Sequence, residues 1–148
     1  MPKCCGVCVV VYKMERGQPK FAILKRSLNW VGWELVKGGI EKRETELDAV
    51  YREANEELSI KQRDILNLIK IPYLLRFSFS RKGKKYNAQF RCWGMQIRTS
   101  KLKLGARLKK EHSEVRWASF KDAIDLLTHS EPKKIIDLLS RIIKSDPI

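Results

Sequence analysis

An α/β sandwich is the fold that this 148-residue chain predicts. Three observations predict it. Short runs rich in Val, Cys and aromatic residues recur along the chain, as strands require. One central stretch, Glu46 to Leu58, has a helical period, with Leu47, Val50, Ala54 and Leu58 on one apolar arc. The last third closes in helical segments. Strands mixed with a central helix and C-terminal helices pack as layers around one core, and a chain of this length suits a single domain spanning residues 1–148.

In order, Cys4 to Tyr12 (CCGVCVVVY) reads as a buried strand. Lys13 to Lys20, with Gly17 and Pro19, reads as a turn, and Phe21 to Lys25 as a second strand. Ser27 to Trp30 is expected to be loop, and Trp33 to Val36 a short strand leading into the Gly38–Arg43 loop. Thr45 is placed to cap the following helix, with Asp48 three residues on as in a capping box. Lys61 to Asp64 is a polar connector. Leu68 to Ile71 and Tyr73 to Ser80 are either two strands or one bent strand broken at Pro72. Arg81 to Lys85 (RKGKK) is a hairpin turn around Gly83, and Tyr86 to Ile97 the returning strand. Thr99 to Lys110 is basic loop, Glu114 to Ala118 a short strand, and Phe120 to Leu127 a helix with Ala123, Ile124 and Leu127 inward. Pro132 sits in the first turn of a final helix ending near Ile143.

No apolar run reaches the roughly 20 residues that span a bilayer, and the N-terminal apolar run reads better as strand than as leader, so a cytosolic protein is expected. Cys4, Cys5, Cys8 and Cys92 read as free, partly buried thiols. The net charge of +14 is concentrated. Residues 61–110 hold 15 Lys and Arg against the one acid Asp64, and the rest of the chain balances. Such a field favours a polyanionic partner, either a polyphosphate nucleotide or an RNA end. For single lysines, a solubilising surface is the plainer account.

The functional signal is the central helix. Glu53, Glu56 and Glu57 project within one arc of it. Like charges at these spacings repel by a few tenths of a kcal/mol per pair, so a helix that keeps them has a cation to hold. Hard oxygen ligands suit Mg²⁺, or Mn²⁺ as its substitute, rather than zinc. Taken alone, E-x-x-E-E reads more simply as a solvated acidic face.

Its surroundings decide for chemistry. Gly38, Glu44, Arg52-Glu53, Glu56-Glu57 and Ile60 follow the spacing G-x5-E-x7-R-E-U-x-E-E-x-G-U, with U apolar, and in this the chain resembles the Nudix hydrolase family. The exception is Ser59, where the family has Gly at the helix C-terminus; a left-handed Ser there costs about 1–2 kcal/mol. The resemblance implies a mixed sheet between helices and Mg²⁺-dependent hydrolysis of a phosphoanhydride bond in a nucleoside diphosphate linked to another group. It implies Glu53, Glu56 and Glu57 as metal ligands, helped by the Gly38 carbonyl, and Arg52 as the residue that holds a carboxylate in place. Glu44 is expected to tie the loop to the helix. Some members take a base or ligand from outside the box; Glu111 is the best candidate here and Glu114 the second. His112 is either a proton shuttle or, more simply, an exposed loop residue.

Trp33-Glu34-Leu35-Val36-Lys37-Gly38 resembles the W-x-x-P-K-G segment of diadenosine tetraphosphate hydrolases, with Val36 in place of Pro. Glu111-His112 before Arg116-Trp117 resembles the same group. Lys37 would reach a phosphate, Lys84 a distal phosphate, and Tyr86 a base. Dinucleoside polyphosphates are therefore the expected substrates. RNA 5′-end pyrophosphate removal or decapping is the alternative, favoured by the basic segment 61–110. A non-catalytic nucleotide or RNA binder is the third reading, against which the intact carboxylates stand.

Overall fold

The structure is a computed structural model that describes residues 3–27, 31–105 and 112–145. Seven strands form one sheet among these residues: β1 (Lys3–Glu15), β2 (Gln18–Arg26), β3 (Gly32–Glu34), β4 (Val36–Gly39), β5 (Ile65–Arg81), β6 (Lys84–Ile97) and β7 (His112–Ala118). Three α-helices accompany them, α1 (Glu46–Leu58), α2 (Phe120–Leu126) and α3 (Ser130–Ser145), with one 3-10 turn at Gln62–Asp64 in the polar connector. The sheet is mixed: β1 runs parallel to β6, and the remaining pairs are antiparallel.

The strand period of two explains the layers. On β1, Cys8, Val10 and Tyr12 face a cluster that includes Ala123, Ile135, Ile136 and Leu139 of the α2–α3 layer. Val7, Val9 and Val11 face the opposite way, against Ala49, Val50, Ala54 and Leu58 of α1. One strand thus feeds two cores, and the expected sandwich with a mixed sheet is what forms. Cys8 and Cys92 face each other across the β1–β6 ladder as buried free thiols, and Cys5 is free and exposed. Among the described residues no helix is long and apolar enough to cross a membrane.

Several boundaries differ from expectation for local reasons. The first turn is much tighter than residues 13–20. The β1–β2 ladder continues to Glu15 opposite Gln18, because Arg16 and Gly17 both take positive φ, 52° and 79°. Two such residues make a connection that matches strand twist. Lys82 and Gly83, at 52° and 75°, do the same between β5 and β6. β5 is one bent strand, its register shifting between Ile71 and Leu74 around Pro72, which cannot donate to the ladder. Trp33 to Val36 is not one strand but the end of β3 and the start of β4, with Leu35 between.

Candidate active site

The site is built where α1 packs on β4. Thr45 caps α1 as expected: its hydroxyl accepts from the Asp48 amide at 3.1 Å, and the Asp48 carboxylate accepts from the Thr45 amide at 3.0 Å. The inward face is rotated from the expected arc. Ala49, Val50, Glu53, Ala54, Glu57 and Leu58 are buried, whereas Leu47 is 39 % exposed. The carboxylates of Glu53 and Glu57 therefore belong to the buried face of the helix, at 2 % and 7 % exposure. Glu56 lies at its margin, half-buried.

Gly38 on β4 makes this packing possible. A Cβ on Gly38 would fall on the Glu53 carboxylate, so only a residue without a side chain lets the strand and the acid approach this closely. Arg52 organises the remainder. Its guanidinium donates from Nε and Nη2 to the two oxygens of Glu44, at 2.7 and 2.9 Å. Nη2 also donates to the Gly39 carbonyl at 2.7 Å, and Nη1 to Glu53 at 2.8 Å and Glu56 at 3.3 Å. The hydrogen bonds from Arg52, and then that from the Glu41 amide, hold the Glu44 carboxyl down at about 2. The pairing with Glu44 drives the Arg52 pKa upward.

The C-terminus of α1 keeps the left-handed turn despite Ser59, at φ 60° and ψ 28°. The Ser59 hydroxyl donates to the Lys103 carbonyl at 3.0 Å, a bond that a glycine could not make. Amides of Lys103 and Gly105 reach the carbonyls of Leu58 and Glu57 at 3.3 and 2.9 Å, capping carbonyls that a helix end leaves open. Segment 101–105 thus closes over the end of the acidic helix.

Two cavities meet at Lys37 and Phe77. One is a 650 Å³ groove lined by Lys37, Gly38, Gly39, Glu53, Phe77, Phe79, Arg81 and Phe90, among others. The other, of 520 Å³, is lined by Cys8, Glu34, Leu35, Lys37, Phe77, His129 and Glu131, among others. Lys37 lies 4.8 Å from the Phe77 ring, on the wall between them.

Of the expected residues, the fold gathers Lys37, Gly38, Arg52 and Glu53 at the groove, with Glu56 and Glu57 on the same helix. Tyr86 and Lys84 lie farther out on β6 and line neither cavity. Glu111 lies outside the described residues; Glu114 pairs with Arg116 at 3.4 Å and does not line the groove. His112 is not an exposed loop residue. It is 4 % exposed, with Nε2 2.6 Å from Glu34, because it begins β7 beside β2. Burial pushes the Glu34 carboxyl upward, but the hydrogen bond to His112 and the charges of Lys37 and Arg26 outweigh it, and the group sits below the usual range. Glu34, Phe77, Phe79 and Arg81 were not singled out from the sequence. Phe77 and Phe79 alternate with Ser78 and Ser80, a period-two signal that places both rings on one face.

Known proteins resemble this chain in sequence and fold. The NUDIX domain model matches residues 3–139. An RNA pyrophosphohydrolase of Ruthia magnifica subsp. Calyptogena magnifica is 29% identical over 116 residues, covering 70% of this chain and 65% of that protein. The chain thus spans just under two thirds of that relative's length. An RNA pyrophosphohydrolase of Pseudomonas aeruginosa strain LESB58 is 27% identical over 120 residues, covering 75% of this chain and 74% of that protein. Among solved structures, a NUDIX hydrolase from Listeria monocytogenes superposes with a TM-score of 0.77 at 26% identity, covering 94% of this chain and 93% of that one. A C. elegans Ap4A hydrolase in a binary complex superposes with a TM-score of 0.75 at 20% identity, covering 97% and 99%. The fold is the one that these solved structures share. The chain belongs to the Nudix family.

Nudix hydrolases generally use divalent metal ions. Among the described residues no three His, Cys, Asp or Glu side chains already converge as a cage, and Arg52 draws Glu53 and Glu56 toward itself. The donor chemistry nevertheless fits such an ion: the available groups are carboxylates and the Gly38 carbonyl, all hard oxygens, on one helix face and one strand.

Proposed function

We infer that this single-domain enzyme removes pyrophosphate from 5′-triphosphorylated RNA with Mg²⁺. One observation carries the choice of substrate. The groove at Gly38 and Glu53 is walled on one side by β5 and β6, and residues 65–97 contain seven Lys and Arg and no Asp or Glu. Lys70 and Arg91 of this segment pair with Glu46 of α1, whereas Arg81 lines the groove, so a polyphosphate end held at Lys37 could leave its nucleotide chain past Arg81 toward the basic hairpin. The RNA pyrophosphohydrolases among the relatives support the same reading.

Glu53, Glu56, Glu57 and the Gly38 carbonyl would hold the cation, with Glu111 as an outside contributor. Such a cation would neutralise phosphate charge and lower the pKa of water enough to make hydroxide available near neutral pH. The chain's own task is positioning. Arg52 and Glu44 fix the carboxylate face against β4. Lys37, on the wall between the cavities, would neutralise a phosphate oxygen and orient the chain for in-line displacement.

A second reading keeps dinucleoside polyphosphates as substrates, asymmetrically cleaved. The 520 Å³ cavity across Lys37 favours it, since a second nucleoside would find room there. The two readings part in a side-by-side assay with Mg²⁺. The RNA reading expects kcat/KM for 5′-triphosphorylated RNA to exceed that for diadenosine tetraphosphate at least tenfold. The reverse order, with ATP and AMP as products, would replace it.

A further inference from the structure

The groove does not end at the body of the protein. β5 and β6 run on as a hairpin, and the face that lines the groove continues along it. Phe79 and Tyr86 are direct partners in this ladder, and their rings stack at 5.3 Å with 16° between planes. Phe77 meets Phe79 at 6.2 Å and Phe90 edge-on at 5.1 Å, which joins the pair to the core. Cations flank the stack: Arg81 at 5.7 Å from the Phe79 ring and Lys84 at 6.0 Å from the Tyr86 ring. Arg81 also lines the groove, so this row starts where the reaction site stops.

A hairpin tip needs only charge to stay soluble and unpaired with other edges. A stacked aromatic pair with cations beside it is more than that requirement. Aromatic faces alternating with cations suit a single nucleic-acid strand, whose bases stack while its phosphates meet the charges. An acidic peptide would use the cations and leave the rings idle. We propose that Phe79, Tyr86, Arg81 and Lys84 form a subsite for the nucleotides downstream of the 5′ end, so that affinity rises with RNA length. The assignment rests on the RNA reading of the function.

The test is direct binding of a ten-nucleotide RNA with a 5′-hydroxyl, which cannot be turned over, followed by fluorescence anisotropy on the full chain. Tyr86→Ala should weaken binding about tenfold. Because that change can disturb the hairpin, R81Q/K84Q is measured beside it. Losing two phosphate contacts should flatten the slope of log affinity against log salt by about 1.4. Wild-type affinity and slope in both variants would overturn the subsite, as would competition by poly-glutamate as effective as that by RNA. Loss of binding in the variants, with no pyrophosphate released by the wild type from triphosphorylated RNA, would uphold the subsite and reject the reaction.

Discussion

Arg52 grips Glu44 with two nitrogens, Nε to Oε2 at 2.7 Å and Nη2 to Oε1 at 2.9 Å, across eight residues of sequence. The same guanidinium reaches the Gly39 carbonyl and Glu53. Loop, strand and acidic helix are therefore locked by one planar cation. A lysine could supply the charge but not the fork. Arg52→Lys should cost about 1–3 kcal/mol in urea unfolding and lower kcat more than it raises KM. A kcat equal to the wild type would show that the lock has no bearing on the reaction.

The Glu44 pair also sets an acid limit. Its carboxyl sits at about 2 when folded, against 4.5 ordinarily. A lowered folded value means stability that is fully present above about 4.5 and is lost as pH falls through about 2. Glu44→Gln should be less stable at neutral pH and lose less of its stability between pH 4.5 and 2. Parallel acid titrations of stability for variant and wild type would contradict this.

Gly38→Ala places a methyl where the Glu53 carboxylate lies. The strand is extended and accepts alanine, so the fold should survive with a loss of about 1–3 kcal/mol. Activity should fall by at least a hundredfold, because Glu53 must move. Circular dichroism beside initial rates checks both parts; a folded, fully active variant would sever Gly38 from the site.

At Ser59 two effects oppose each other. Ser59→Gly relieves about 1–2 kcal/mol of left-handed strain and gives up a hydroxyl bond worth about 0.5–1.5 kcal/mol, so its net effect should stay within about 1 kcal/mol. Ser59→Ala loses the bond and keeps the strain, and should be destabilised by about 1 kcal/mol. Urea midpoints decide; an alanine variant as stable as the wild type would mean that the Lys103 contact contributes nothing, and one as stable as the glycine variant that the left-handed turn carries no strain.

His112→Ala removes the 2.6 Å partner of the Glu34 carboxylate and leaves that group buried, with Arg26 3.3 Å away. About 3 kcal/mol of stability should go. Thermal unfolding measures it, and a change under 1 kcal/mol would show that the pair is not held as described.

Much of the fold was legible because β1 is a continuous run of Val and Cys, as a strand buried on both faces requires, and Thr45 to Leu58 carries both a cap and a helical period. The spacing from Gly38 to Ile60 gave the acidic face for the same reason: a helix fixes which residues share a side. What stayed hidden depends on partners far along the chain. The period put Leu47 inward, but the helix turns to bury Glu53 and Glu57 against β4, leaving Leu47 in solvent. His112 lies 78 residues from Glu34, and nothing near either announces the pair. Tyr86 was found as an aromatic on a strand, whereas its stacking partner Phe79 emerges only from the β5–β6 register.

The reaction itself is tested by pyrophosphate release from 5′-triphosphorylated RNA across a Mg²⁺ titration, wild type beside Glu57→Gln. Release by the wild type should depend on Mg²⁺ and fall at least a thousandfold in the folded variant. Equal release by both, or release that ignores Mg²⁺, would contradict it.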